Sequence, residues 1–154
     1  MVIFLYQRYF VVNLTDSMPT GLYLKTYPIV FKKNDLVLLC LEGEVSTWAT
    51  THHIIPQGIG CKGTSIPLLK KIIALKGDNV SLTYSGFIVN RVLIKNTIPS
   101  IGIVKQWFPL NQNLVLKDNE FVVIADYDSR SFDSRYFGII QRDQITAKVI
   151  PIWI

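Results

Sequence analysis

The strongest constraint on the fold is the rhythm in which short apolar runs alternate with turn-forming residues. Ile66 to Leu75 is strongly apolar and stops at Lys76-Gly77-Asp78-Asn79. Val80 to Tyr84 and Phe87 to Asn90 flank Ser85-Gly86 in the pattern of a β-hairpin, which Val92-Leu93-Ile94 continues. Leu114-Val115-Leu116 and Glu120 to Ala125 flank Lys117-Asp118-Asn119 in the same way. Runs this short suit strands rather than helices. Two more strands are predicted upstream, Tyr27 to Phe31 and Leu36 to Cys40, around the turn Lys32-Lys33-Asn34-Asp35. Ile145 to Ile154 is predicted to close the sheet as an edge strand, where Pro151 is tolerated. Leu41 to Lys62 reads as an irregular excursion, and residues 96–113 as a loose connection with a short strand. With no repeat, low-complexity tract or long helical period, the expectation is a mainly β fold.

A chain of 154 residues suits one domain with room for a smaller lobe. Hydrophobic residues make up 49% and charged ones 18%, with a mean hydropathy of +0.31. Such a composition implies a large core or an apolar face turned to a membrane or ligand. A net charge of +5 permits an anionic partner. The basic residues are scattered, however (Lys32-Lys33, Lys70-Lys71, Arg130, Arg135, Arg142), so no nucleic-acid partner is predicted. No run reaches about 18 apolar residues, the length of a complete membrane span. The apolar opening Met1 to Val12 is interrupted by Gln7 and Arg8, and reads as a strand, an interfacial segment or the stub of an anchor. Cys40 and Cys61 are compatible with two buried thiols in the cytosol or a loop-closing disulfide outside it. His52-His53 lacks a third ligand and reads as a surface loop, so neither metal nor cofactor is expected.

Chemistry concentrates in Asn13-Leu14-Thr15-Asp16-Ser17-Met18-Pro19-Thr20-Gly21-Leu22-Tyr23, which sets Ser17 between turn formers. A serine is a weak nucleophile until a base takes its proton. Two later stretches offer partners, Leu68 to Asp78 and Asp128 to Gly138. Taken singly, each has a plain structural reading. Thr15-Asp16-Ser17 suits a turn, Lys70-Lys71 a guarded strand edge, and Asp128 to Gly138 a polar loop tied by an Asp–Arg pair.

Together, S-M-P-x-G-x-Y at Ser17 to Tyr23, K-x7-D at Lys70 to Asp78 and S-F-D-S-R-Y-F-G at Ser131 to Gly138 form an ordered set. The set resembles the type I signal peptidase family, and most closely its conjugative-transfer (TraF-type) branch, from about Asn13 to Ile154. Met18 is followed directly by Pro19, as in that branch. The usual Gly-Asp-Asn before the third box is here Ala125-Asp126-Tyr127.

The resemblance implies a signal-peptidase-like antiparallel β-sheet fold with a catalytic core and a small cap lobe. Residues 13–154 would form a single peptidase domain with a cap insertion at roughly 41–65, and residues 1–12 the remnant of a membrane anchor. Ser17 would be the nucleophile and Lys70, seven positions before Gly77, the general base. Thr15 would join the Ser17 N–H in an oxyanion hole, Ser131 would orient the lysine, and Asp133 with Arg135 would support that loop. A Cys40–Cys61 disulfide is implied as well. The implied activity is a monomeric Ser/Lys endopeptidase at the periplasmic face of a bacterial inner membrane. It would remove leader peptides from precursors with small residues before the cut, a conjugative pilin subunit above all, with pilin cyclisation as a further step. The rival readings are a catalytically silent β-rich adaptor of a secretion or conjugation machine and a self-cleaving Ser/Lys repressor-type protein. The latter lacks its DNA-binding segment and Ala-Gly or Cys-Gly cleavage bond here.

Overall fold

The structure is a computed structural model describing residues 8–62, 65–102 and 104–154. Among the described residues, eleven strands form two antiparallel sheets. The larger, in the order β1-β2-β11-β3-β4-β9-β10, comprises β1 (Phe10–Asn13), β2 (Gly21–Thr26), β3 (Leu36–Leu39), β4 (Leu68–Ala74), β9 (Glu120–Ile124), β10 (Ile140–Gln141) and β11 (Ile145–Trp153). The smaller, in the order β7-β6-β5-β8, comprises β5 (Asn79–Thr83), β6 (Gly86–Val89), β7 (Val92–Leu93) and β8 (Leu114–Val115). Beyond the strands, the described residues include the short α-helices α1 (Gly43–Thr51) and α2 (Ser134–Phe137) and a 3-10 turn at Arg142–Gln144. The mainly β expectation therefore holds. Among the described residues, no helix is long and apolar enough to cross a membrane. Of the apolar opening stretch, residues 1–7 lie outside the described residues, while Phe10–Asn13 pair with β2.

Side-chain alternation on the strands distributes the apolar residues among separate clusters. Val37 and Leu39 of β3 join Ile72, Val123, Phe132 and Tyr136 in one, and Leu38 joins Met18, Tyr23, Leu69 and Val149 in another. A third cluster, with Val80, Leu82, Phe87 and Phe108, binds the smaller sheet to the ends of β4 and β9.

The structure corrects the sequence reading in three places. The strand expected at Tyr27 to Phe31 lies earlier, at Gly21–Thr26. Pro28 has no N–H to donate to a ladder and biases its predecessor away from regular continuation, so the strand ends before it. The excursion after Cys40 contains α1, whose Ser- and Thr-rich sequence has little intrinsic helicity. Ala49 anchors it in the core beside Ile55, and Trp48 stacks on His52. Finally, β11 is not an edge strand; it lies between β2 and β3. Pro151 fits because pairing with β3 ends at Val149, so on that side no donor is required of it.

Gly21, at the start of β2, has φ +152°, and a Cβ there would meet the Trp153 carbonyl oxygen at 2.1 Å. The backbone of β11 therefore crosses tightly over the turn that follows Ser17. Gly21→Ala is expected to cost about 2 kcal/mol or more, from strain and a displaced β11 end. Urea unfolding of the two proteins measures it.

Candidate active site

Ser17 lies in the turn between β1 and β2, and Met18 and Tyr23 fix that turn. Met18 is 4% exposed and packs with Leu69, the neighbour of Lys70 on β4, while the Tyr23 hydroxyl donates to the Pro19 carbonyl at 2.6 Å. The apolar and aromatic positions of the first box thus act as anchors, leaving Ser17 at the surface of a cleft.

Lys70 is on β4, opposite Val37 of β3, and is only 3% exposed. Its Nζ donates to Ser131 Oγ at 2.8 Å. The adjacent Lys71 projects the other way and pairs with Asp126. Burial pushes the Lys70 ammonium down to about 8 from an ordinary 10.5; Asp133 opposes the change and Arg135 assists it. Leu68 and Ile72, on the same side of the strand as Lys70, belong to the apolar cluster that contains Phe132.

The third box is built around an ion pair. Asp133 and Arg135 are both 0% exposed. Arg135 Nε donates to Asp133 Oδ1 at 2.8 Å and Nη2 to Oδ2 at 2.9 Å. The other guanidinium protons reach the carbonyls of Ile98, Ser129 and Ser131. Asp133 also caps α2 through the Arg135 N–H and accepts the Ala125 N–H of the segment after β9. Ser131 is consequently held on both sides, its carbonyl by Arg135 and its N–H by the Asp128 carbonyl. In the second box, Asp78 closes its turn by accepting the Leu75 N–H and the Lys33 ammonium.

Ser17, Thr15, Lys70 and Ser131 all line one cleft of about 510 Å³, whose apolar wall includes Leu38, Ile55, Leu68 and Phe132. Within it the hydroxyls and the amine are already engaged. Ser17 Oγ pairs with Thr15 Oγ1 at 3.2 Å, whereas Lys70 Nζ pairs with Ser131. No hydrogen bond joins Ser17 to Lys70 among the described residues. Thr15 Oγ1 in turn donates to Asn13 Oδ1 at 2.8 Å, so its one proton is committed in the resting site. An oxyanion role for Thr15 requires that proton to turn away from Asn13. Asn13 is the residue the sequence reading left without a role, although an Asx side chain two positions before a threonine is a signal for a side-chain-closed turn.

Cys40, just after β3, and Cys61 are joined in a disulfide with Cα atoms 5.5 Å apart. The bond closes the segment that carries α1 and Ile55 of the cleft wall. No group of three or more His, Cys, Asp or Glu side chains is arranged to hold a metal among the described residues.

The family model for signal peptidase, peptidase S26, matches residues 1–154. The chain is 32% identical over 149 residues to the plasmid transfer protein TraF of Escherichia coli, a match covering 92% of this chain and 81% of that protein. It is 28% identical over 144 residues to the conjugal transfer protein TraF of Agrobacterium tumefaciens (strain 15955), covering 92% and 80%. A crystal structure of a signal peptidase I from Enterococcus faecalis V583 aligns at 17% identity with a TM-score of 0.45, covering 79% of this chain and 97% of that one.

Two stability effects of opposite sign follow from the buried charges. Asp133→Ala strands the Arg135 guanidinium without its counter-charge and is expected to cost about 3–5 kcal/mol. Lys70→Met removes a buried amine whose lowered pKa represents a penalty of about 3 kcal/mol, while orphaning Ser131, for a net gain of about 1–2 kcal/mol at pH 7. The sign follows from proton counting. Between about 8 and 10.5 the unfolded chain binds more protons at position 70 than the folded one, so wild-type stability gains from rising pH in that window. The advantage of Lys70→Met is fully present below about pH 8 and disappears above 10.5. Chemical denaturation at pH 7 and pH 10 checks both variants.

Proposed function

The chain belongs to the signal peptidase, peptidase S26, family, and from that premise we propose that it is a Ser/Lys endopeptidase that removes leader peptides from exported precursors. The observation that carries the reading is a lysine 3% exposed, lowered to about 8 and opening on the same cleft as Ser17. An amine near 8 is about one-tenth neutral at pH 7, against well under a thousandth for an unperturbed lysine. On substrate entry Lys70 exchanges Ser131 for Ser17, takes the Ser17 proton as Oγ attacks the scissile carbonyl, and returns it to the leaving amine. The Ser17 N–H stabilises the oxyanion, joined by the Thr15 hydroxyl, which leaves Asn13 only as that negative charge develops after attack; such donors are worth about 3–4 kcal/mol each. The acyl-enzyme is then released by water.

The likeness to two TraF proteins supports a role in conjugation, with a pilin subunit as the precursor and joining of its ends as an alternative fate of the acyl-enzyme. An amine of the same chain would then replace water. The apolar wall of the cleft, with Leu38, Ile55, Leu68 and Phe132, suits small apolar side chains before the cut. The disulfide suits an oxidising compartment, and so a periplasmic setting. Val12, Leu14, Ile152 and Trp153 are exposed beside the Ser17 turn, an apolar patch suited to a membrane surface.

A serine-trapping acyl probe is expected to label the wild type and not Ser17→Ala. Hydrolysis of a leader-peptide substrate is expected to rise with pH through about 8, as Lys70 deprotonates, and to fall by orders of magnitude in Lys70→Ala. An unlabelled wild type would favour the silent-adaptor reading, and full activity in Lys70→Ala would remove the lysine from the mechanism.

A further inference from the structure

Asn13 is 7% exposed at the end of β1, and its carboxamide faces the whole nucleophile turn. Nδ2 donates to the carbonyls of Thr15 at 3.0 Å, Met18 at 2.9 Å and Pro19 at 3.1 Å. Oδ1 accepts the Thr15 N–H at 3.2 Å and the Thr15 hydroxyl at 2.8 Å. These partners fix the orientation of the amide, because carbonyls demand its nitrogen and an N–H demands its oxygen. They also fix the direction of the hydroxyl chain. Oδ1 has no proton, so Thr15 is the donor there, and Ser17 must be the donor in its own bond to Thr15. The Ser17 lone pairs then remain unoccupied by that contact. With Asn13 absent, the Thr15 proton is free to swing onto Ser17 Oγ and quench the very electrons that attack.

We infer that Asn13 is a positioning residue for the Ser17 reaction, one that acts through Thr15 to set the proton direction at the nucleophile; the inference rests on the peptidase reading above. It lines the cleft beside Thr15 and Ser17, and it acts on the nucleophile through the Thr15 hydroxyl. Its effect is felt in turnover rather than in substrate affinity, and it vanishes where position 15 carries no hydroxyl.

The test uses the full chain, with kcat and KM measured on a leader-peptide substrate whose cleavage depends on Ser17. Asn13→Ala is expected to lower kcat about ten-fold or more while KM stays within about three-fold. Thr15→Val lowers kcat too, and Asn13→Ala/Thr15→Val is no slower than the slower single variant. A kcat for Asn13→Ala within about two-fold of wild type, or losses that multiply in the double variant, overturns the inference. Should Asn13→Ala fail to fold, the comparison moves to Asn13→Asp, which keeps an oxygen to accept the Thr15 hydroxyl while losing the amide donors to the turn. Asn13→Asp is expected to keep kcat within about three-fold of wild type, and a loss of about ten-fold in kcat with KM unchanged overturns the inference. A wild-type chain that neither cleaves nor labels removes the peptidase reading itself, and this inference with it.

Discussion

The buried Asp133–Arg135 pair is the interaction on which the cleft depends. Two opposite charges at 0% exposure are tolerable only when nearly every donor and acceptor is matched. Here all the guanidinium protons have partners, two interactions returning to Asp133 and the rest tying down the carbonyls of residues 98, 129 and 131. One side chain thus gathers a connecting loop and the segment before α2 into a fixed arrangement. The same pair acts on Lys70 in opposite directions, Asp133 favouring the charged amine and Arg135 opposing it. Loss of water is the largest influence, and it lowers the proton affinity of the lysine.

A matching economy operates on the other side of the cleft. Met18 inserts into the cluster that contains Leu69, Tyr23 reaches back to Pro19, and Asn13 binds three carbonyls of the turn. Ser17 itself carries none of the load that holds its own loop. Its hydroxyl can then change partners while the backbone around it stays put. Serine and amine each rest on a neighbouring hydroxyl, Thr15 and Ser131, so both side chains have a defined place in the resting cleft.

Much of this was legible in the residues. The hairpin around Ser85-Gly86, the strand through Lys70 and the pair around Lys117-Asp118-Asn119 announced themselves, because turn chemistry and apolar runs are local signals. The three boxes pointed to the residues that line the cleft or support it. What escaped was set by distant contacts. Helix α1 forms where Ala49 can be buried, not where its Ser and Thr residues prefer helix. The strand ending at Thr26 looked displaced because apolar Ile29 and Val30 suggested burial, yet both are exposed past Pro28. Pro151 suggested an edge because a one-sided gap in an interior strand leaves no mark in sequence. The direction of the hydroxyl chain needed the carboxamide of Asn13 in view, and no spacing rule reveals which oxygen owns a proton.

The interior position of β11 has a consequence for biogenesis. Among the described residues, the hairpin bearing Ser17 is hydrogen-bonded into the larger sheet through β11, which pairs with β2 on one flank and β3 on the other. A nascent polypeptide that has emerged past Ser17 and Lys70 still lacks the ribbon that unites them. Backbone pairing between the two halves of the cleft requires residues 145–153 to lie between them. A partly made chain thus lacks the strand that completes the sheet beneath the cleft.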